Sequence, residues 1–197
     1  GGVFAIIENK IEDLRNINLA NSITINPQKI LGIAKTSSIL IVKDIEVLKK
    51  TFQTGLPYID TPENIINRGE LGVQGSRPAE IIKLWLGLKS LGIIGIKKIL
   101  DSSIYKKLLF EKNLDKTKFD IFAGPLHIVS FIPKNMNKEE SNEWTLITKK
   151  ILLDKHFMIS RPFYKDRYFL RVVMGNYNTK KSHILELTKL LNLRINE

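Results

Sequence analysis

The sequence predicts a mixed α/β chain in two parts, the second of them an α+β unit. Three observations lead there. Short β-branched runs alternate with segments of helical spacing over the first hundred residues. After Asp115 the pattern changes to paired strand-like runs with helices to one side. The chain has 197 residues, 43% of them hydrophobic, enough for a real core and for about a domain and a half. The boundary falls between Leu91 and Phe119, which divides the chain into residues 1–100 and 101–197, with a helix as connector.

The elements follow in order. Val3 to Ile7 is a short apolar run, and Ile11, Leu14 and Ile17 approximate helical spacing. Ser22 to Asn26 alternates polar and β-branched residues and reads as a strand ending at Pro27. Ile39-Leu40-Ile41-Val42 suits a buried strand, and Asp44 suits the N-cap of a helix through Phe52. Gln53 to Ser76 holds Pro57, Pro62 and four glycines with little periodicity, so it reads as a long functional loop. Pro78 then suits a first helical position. Ile81, Leu84, Trp85, Leu88 and Leu91 form a helical stripe that Gly92 ends. A second helix runs from about Ile93 to Glu111. Phe119 to Phe122 and Leu126 to Ile132 read as strands joined at Gly124-Pro125. A helix from about Glu140 to Asp154 follows, carrying Trp144, Ile147, Ile151 and Leu152. Phe157 to Ser160 and Tyr168 to Met174 are strand-like, and a helix from Lys180 to Leu193, capped by Thr179, closes the chain.

Composition removes many functions. No cysteine means no disulfide scaffold, no cysteine-based zinc site and no cysteine nucleophile. His127, His156 and His183 lack partners at ligand spacing, so no metal site is expected and each reads as structural or solvent-facing. Neither a Gly-x-Ser-x-Gly elbow nor a phosphate loop occurs. The formal charge is +11, but the lysine pairs, such as Lys49-Lys50 and Lys106-Lys107, are spread along amphipathic segments. Solvated helix faces account for them, so no nucleic-acid partner is expected. No apolar run reaches the length of a membrane span, and no basic-then-apolar leader opens the chain, so the cytoplasm is the expected location. Starting at Gly1-Gly2-Val3, the sequence reads as the later part of a longer protein.

Asn21 to Val42 is the informative segment. A strand delivers Asn26 and Gln28 near its end, Pro27 fixes the turn, and Lys29 emerges among Ile30, Leu31 and Ile33. Gly32 permits close backbone approach. A lysine partly desolvated by such neighbours has a free amine available for Schiff-base chemistry. On spacing alone, the plainer reading of a surface lysine after a strand is favoured.

This segment resembles the cofactor-lysine region of the group II pyridoxal-phosphate-dependent amino-acid decarboxylases, such as the glutamate, aromatic amino-acid and diaminobutyrate enzymes. Asn21-Ser22 stands where that family has Asp-Ser, Asn26-Pro27-Gln28-Lys29 where it has Asn-Pro-His-Lys, and Ser37-Ser38 where it has Cys-Ser. Gly75-Ser76-Arg77 leading to Lys83-Leu84-Trp85 resembles the family's glycine-arginine turn before a Leu-Lys-Leu-Trp helix. Phe169 to Val173 with Asn176 and Thr179 resembles the last strand, turn and helix of its small domain. Gly1-Gly2 resembles the pair following its Asp-Ala-Ala motif.

The resemblance implies a fold-type-I transferase-like architecture: the end of the large pyridoxal-phosphate domain, then the small α+β domain. It implies pyridoxal 5′-phosphate as cofactor, an L-amino acid as substrate, a homodimer when full length, and Lys29 as the Schiff-base residue. Asn26 and Gln28 would approach the cofactor phosphate. With Gln28 an imidazole has become an amide, which can donate a hydrogen bond but cannot shuttle a proton. Arg77 would serve as an ion-pair partner near the site or as a structural bridge, and Tyr58 lies where relatives carry a lid tyrosine. The family's pyridinium-binding Asp is expected upstream of Gly1, so these 197 residues alone are expected to bind the cofactor poorly. The alternative is a non-catalytic binding or assembly module of the same fold.

Overall fold

The alternating residues Ser22–Ile25 form strand β1, whose Ile25 is buried. One helical turn follows, α1 (Pro27–Ile30), and then strand β2 (Ile39–Val42), which pairs antiparallel with β1 so that Ser22 faces Val42 and Ile25 faces Ile39. The computed structural model describes residues 2, 4, 12–34, 37–56, 65 and 67–194. The Val3–Ile7 run except Phe4, and Ile11, Pro57, Tyr58 and Pro62, lie outside the described residues. The helix expected after Ile11 is instead two short 3-10 turns, Glu12–Leu14 and Ile17–Leu19.

Helix α2 (Glu46–Phe52) starts one residue later than expected, with the Asp44 carboxylate accepting from the Glu46 N–H at 2.9 Å. Beyond it, Glu70 accepts from both the N–H and the hydroxyl of Thr54, at 3.2 and 3.0 Å. Helix α3 (Ile81–Asn113) also starts later than Pro78 suggests: Pro78 belongs to the preceding turn, where its carbonyl accepts from the Glu80 N–H. Gly92 interrupts α3 with φ 57° and ψ −178°, which glycine adopts without the penalty a Cβ brings. The division between two compact units falls here, between Gly92 and Ile93.

In the first unit, the expected stripe of α3 is only partly covered. Leu84 is buried, but Ile81 and Trp85 are 64% and 58% exposed. The covered face runs through Leu84 and Gly87, and Gly87 lets the buried Ile33 reach the helix backbone.

The second unit is built on a three-stranded antiparallel sheet of β3 (Phe119–Ala123), β4 (Ile128–Pro133) and a later strand, β7 (Leu170–Val173), in the order β3-β4-β7. Phe119 faces Pro133 across β3 and β4, and Ile128 faces Val173 across β4 and β7. Between β4 and β7 lie helix α4 (Lys138–Asp154) and the hairpin β5 (Phe163–Tyr164) and β6 (Arg167–Tyr168). Helix α5 (Lys181–Arg194) closes the chain. The core joins Phe110 of α3 to Phe119, Phe131, Leu170, Ile184 and Leu191. The Phe131 ring lies 5.4 Å from that of Phe110 and 5.8 Å from that of Phe119, in the tilted and edge-on arrangements aromatic rings prefer.

Three expectations need correction here. Phe157 to Ser160 is not a strand: only Ser160 bridges to β7, opposite Arg171, because the Phe157 N–H is taken by the Leu152 carbonyl at the end of α4. The buried face of α4 is Ser141, Thr145, Thr148 and Leu152, while Ile147 and Ile151 are exposed. Small hydroxyl residues can be buried there because Ser141 and Thr145 donate to carbonyls of the preceding turn. Lys106 and Lys107 are not on a solvated face but buried, Lys106 donating to the Asn176 carbonyl at 2.8 Å and Lys107 pairing with Glu111.

Candidate functional site

Lys29 sits on α1, which Pro27 opens at its first position, where a missing N–H is no loss. Pro27, Ile30, Leu31 and Ile33 are buried and anchor the turn. Successive helical residues diverge by about 100°, so anchoring that side sends Lys29 outward. Lys29 is exposed. This corrects the expected partial desolvation: the apolar neighbours pack inward and do not cover the amine. Among the described residues no carboxylate pairs with it.

The residues flanking it also have polar groups to spare. Asn26 occupies the N-cap position of α1 but makes no side-chain cap bond. Gln28 is half-buried, and its Oε1 is shut off from solvent with no hydrogen-bond partner. Gly32 has φ 65°, and no atom lies within 4 Å of where a Cβ would be. Its role here is therefore the left-handed conformation that turns the chain away from α1, rather than a close approach to another segment of this chain. Ser37 is buried and Ser38 exposed.

Arg77 is held within its own turn. Its Nε donates to the Gln74 carbonyl at 2.8 Å, and its guanidinium lies where a side chain on Gly72 would stand. In the second unit, Asn176 closes the turn after β7: its carbonyl accepts from the Thr179 N–H and its Oδ1 from the Asn178 N–H. His127 precedes β4 rather than lying within it and is buried, with Nδ1 unpartnered; burial pushes its pKa down. His156 and His183 are exposed, and the Nδ1 of His183 accepts from the Lys180 N–H. Among the described residues no group of three or more His, Cys, Asp or Glu could hold a metal ion. No helix of the described residues is long and apolar enough to cross a membrane.

Two features of the lysine segment escaped the sequence reading. The seat of Ile33 against Gly87 fixes the loop after Lys29. Its signal was a glycine inside a helical pattern, which costs stability unless packing requires it. The Glu70 bridge to Thr54 joins the two ends of the long loop and had no sequence signal.

The pyridoxal-dependent decarboxylase conserved domain matches residues 1–132. The chain is 28% identical over 184 residues to the aromatic-L-amino-acid decarboxylase of Bacillus atrophaeus, covering 88% of this chain and 38% of that one. It is 23% identical over 195 residues to the human cysteine sulfinic acid decarboxylase, covering 89% of this chain and 40% of that one. The chain thus spans about two fifths of the length of these relatives. Among solved structures, Oryza sativa TDC with PLP and tryptamine superposes with a TM-score of 0.81 at 17% identity, over 93% of this chain and 40% of that one. Mouse CSAD in apo form superposes with a TM-score of 0.77 at 22% identity, over 98% of this chain and 44% of that one. At those identities the superpositions establish the fold, which is the α/β fold of these decarboxylases. The family match covers well over half of the chain, and with it the turn that carries Lys29: the chain belongs to the pyridoxal-dependent decarboxylase family, whose cofactor is pyridoxal 5′-phosphate.

Proposed function

We propose that this chain is part of an enzyme that decarboxylates an L-amino acid, with Lys29 as the residue that bonds the cofactor covalently. The observation that carries this reading is the Asn26–Gly32 turn. Its side chains offer an exposed amine, an unpaired amide oxygen and an uncapped amide, beside open space at Gly32. An unsatisfied buried acceptor such as the Gln28 Oε1 costs about 1–3 kcal/mol, a cost that a bound hydrogen-bond donor removes. The donor set suits an aldehyde that carries a phosphate: an amine for the carbonyl carbon, and the amide N–H groups of Asn26 and Gln28 for the phosphate. When bound, the cofactor supplies an electron sink for the pair released as carbon dioxide departs. Lys29 would hold the cofactor through its amine, which is open to solvent. Gln28 can hold an anion by hydrogen bonding but moves no proton, so acid–base steps fall to other groups.

In this reading residues 1–100 end the large cofactor domain and residues 101–197 form the small domain. The protein is a cytoplasmic homodimer, completed by chain beyond these residues. Support comes from α3, where Ile81, Ile82, Trp85 and Leu86 are all more than half exposed. Apolar surface of that kind is ordinarily covered by other protein.

The test compares the full-length protein with its Lys29→Ala variant. The expected result is a visible cofactor absorbance band in the parent that disappears in the variant, with borohydride trapping the label on the peptide containing Lys29. A band that persists in Lys29→Ala rejects Lys29 as the attachment point. The 197-residue chain alone is expected to load poorly. A second reading, a non-catalytic module of the same fold, is favoured by the amide at Gln28. It predicts the same band without carbon dioxide release from any amino acid.

A further inference from the structure

The Lys29 turn is too short to hold its own shape. Helix α1 is four residues long, and a single helical turn is unfavourable unless packing supports it. The Lys29 N–H donates to the Asn26 carbonyl at 3.3 Å and the Leu31 N–H to the Pro27 carbonyl at 3.1 Å. Asn26, at the N-cap, adds no side-chain bond. The direction in which the Lys29 side chain leaves the turn is therefore set by what the turn packs against.

Its two ends are held differently. Upstream, Pro27 is buried and its ring fixes φ. Downstream, Gly32 turns the chain at φ 65° with no atom within 4 Å of where a Cβ would be. Glycine enters that region freely and leaves it as freely, so Gly32 directs the chain without fixing it. The fixed point beyond it is Ile33, which is buried and whose Cδ1 occupies the place where a side chain on Gly87 would stand. Gly87 lies on α3 three residues after the buried Leu84, on the same face of the helix. Only glycine leaves that place empty.

We propose that Gly87 is a positioning residue for Lys29. The gap it leaves in α3 sets the depth at which Ile33 seats, and through Gly32 and α1 it sets the point from which the amine meets the cofactor. This rests on the reading of Lys29 as the attachment residue. Gly87 acts through Ile33 and not on the cofactor itself. An alanine methyl at position 87 would need about 3.5–4.0 Å to the nearest carbon, which the Ile33 Cδ1 gives only by lifting off the helix. With Pro27 anchored, the displacement falls on the residues between, Lys29 among them. Misplacing a reacting group by about 1 Å costs on the order of 100-fold in rate. Ile33→Val removes the Cδ1 and leaves the next atom, at the Cγ1 position, 3.5 Å from the added methyl, an ordinary contact.

The experiment uses the full-length protein and its Lys29→Ala, Gly87→Ala, Ile33→Val, Ile33→Ala and Gly87→Ala/Ile33→Val variants. Each is purified without cofactor and titrated with pyridoxal 5′-phosphate. The readouts are the dissociation constant from the visible band, the rate at which borohydride traps label on the Lys29 peptide, and the urea midpoint. Gly87→Ala is expected to bind at least tenfold more weakly and to be trapped at least tenfold more slowly than the parent. Ile33→Val and the double variant are expected to stay within threefold of the parent. Ile33→Ala empties the seat while leaving α3 unchanged, and should also weaken loading at least tenfold. It carries the test if Gly87→Ala does not fold. A merely structural role would lower the urea midpoint of Gly87→Ala and leave trapping in the folded protein at the parent rate, and that result overturns the proposal. So does a defect in Gly87→Ala that Ile33→Val does not repair, or parent-like loading of Ile33→Ala. Failure of the underlying reading shows elsewhere: the band and the label then persist in Lys29→Ala, and Gly87 has no amine to position. A Lys29→Ala variant without the band beside a Gly87→Ala variant that loads like the parent leaves that reading standing and overturns this one.

Discussion

Gly87→Ala is a sharp test of how the lysine turn is held. On helix propensity alone alanine should stabilise α3 by about 1 kcal/mol. The structure predicts the opposite sign. The added methyl would overlap the Cδ1 of Ile33 and lie 3.5 Å from its Cγ1. Ile33 is buried four residues after Lys29, so it cannot swing out without exposing its side chain. Overpacking of this kind costs about 1–3 kcal/mol, which outweighs the propensity gain and leaves a net loss of roughly 1 kcal/mol. Ile33→Val removes the offending Cδ1 and by itself costs about 1 kcal/mol. In that background Gly87→Ala should become stabilising by about 0.5–1 kcal/mol, which gives a coupling near 2 kcal/mol, within the range for residues in contact. Urea unfolding of the four proteins measures it, with Trp85 fluorescence as the probe in a Trp144→Phe background, since these are the chain's two tryptophans. The coupling corresponds to about 1 M urea between the two Gly87→Ala effects. If Gly87→Ala stabilises equally in both backgrounds, the close approach of helix and lysine loop is refuted.

Other outcomes concern the second unit. Burial holds the His127 pKa below its ordinary value of 6.5, so the native state resists protonation more than the unfolded chain does. Its contribution to stability is therefore complete above that pH and is lost as pH falls below it, by up to about 1.4 kcal/mol per pH unit. Urea midpoints measured from pH 7.5 to pH 5 should fall more steeply in the parent than in His127→Gln, and equal slopes would refute the assignment. Burial likewise lowers the Lys106 pKa, and its one hydrogen bond is to the Asn176 carbonyl, which also accepts from Thr179. Replacing that buried cation with methionine leaves the carbonyl paired, so Lys106→Met should raise stability by about 1 kcal/mol. A lower thermal midpoint for Lys106→Met would show that its hydrogen bond outweighs its desolvation.

Much of the architecture was legible because it rests on local signals. The alternation at Ser22–Ile25, the stop at Gly92 and the strand pair around Gly124-Pro125 all needed only neighbouring residues. What failed needed knowledge of a distant partner. Phe157 to Ser160 has strand composition, but the Leu152 carbonyl competes for its first N–H. Trp144, Ile147 and Ile151 have the spacing of a buried stripe, yet α4 is packed through Ser141, Thr145 and Thr148; the hydroxyls of Ser141 and Thr145 are satisfied within the helix, and that of Thr148 has no partner among the described residues. Lys106 and Lys107 resemble every other lysine pair in the sequence until the packing around α3 is known. Lys29 was singled out through the motif around it, whereas its exposure could not be read from apolar neighbours, since composition does not say which way a one-turn helix faces.

The hairpin of β5 and β6 turns through Lys165 and Asp166, with φ of 45° and 57°. Neither residue is glycine, and the left-handed region costs an ordinary residue roughly 1–2 kcal/mol. The turn therefore resists closing by itself. What holds it lies elsewhere in the sequence: the Arg161 guanidinium stacks 3.8 Å from the Tyr168 ring centre, and the Tyr168 N–H donates to Ser141 on α4 at 3.1 Å. In the order of folding this hairpin should come late, after α4 has formed and presented Ser141. Substitutions at the turn should then change the unfolding rate and leave the folding rate nearly untouched. Asn-Gly in place of Lys165-Asp166 would reverse that order and let the hairpin close first.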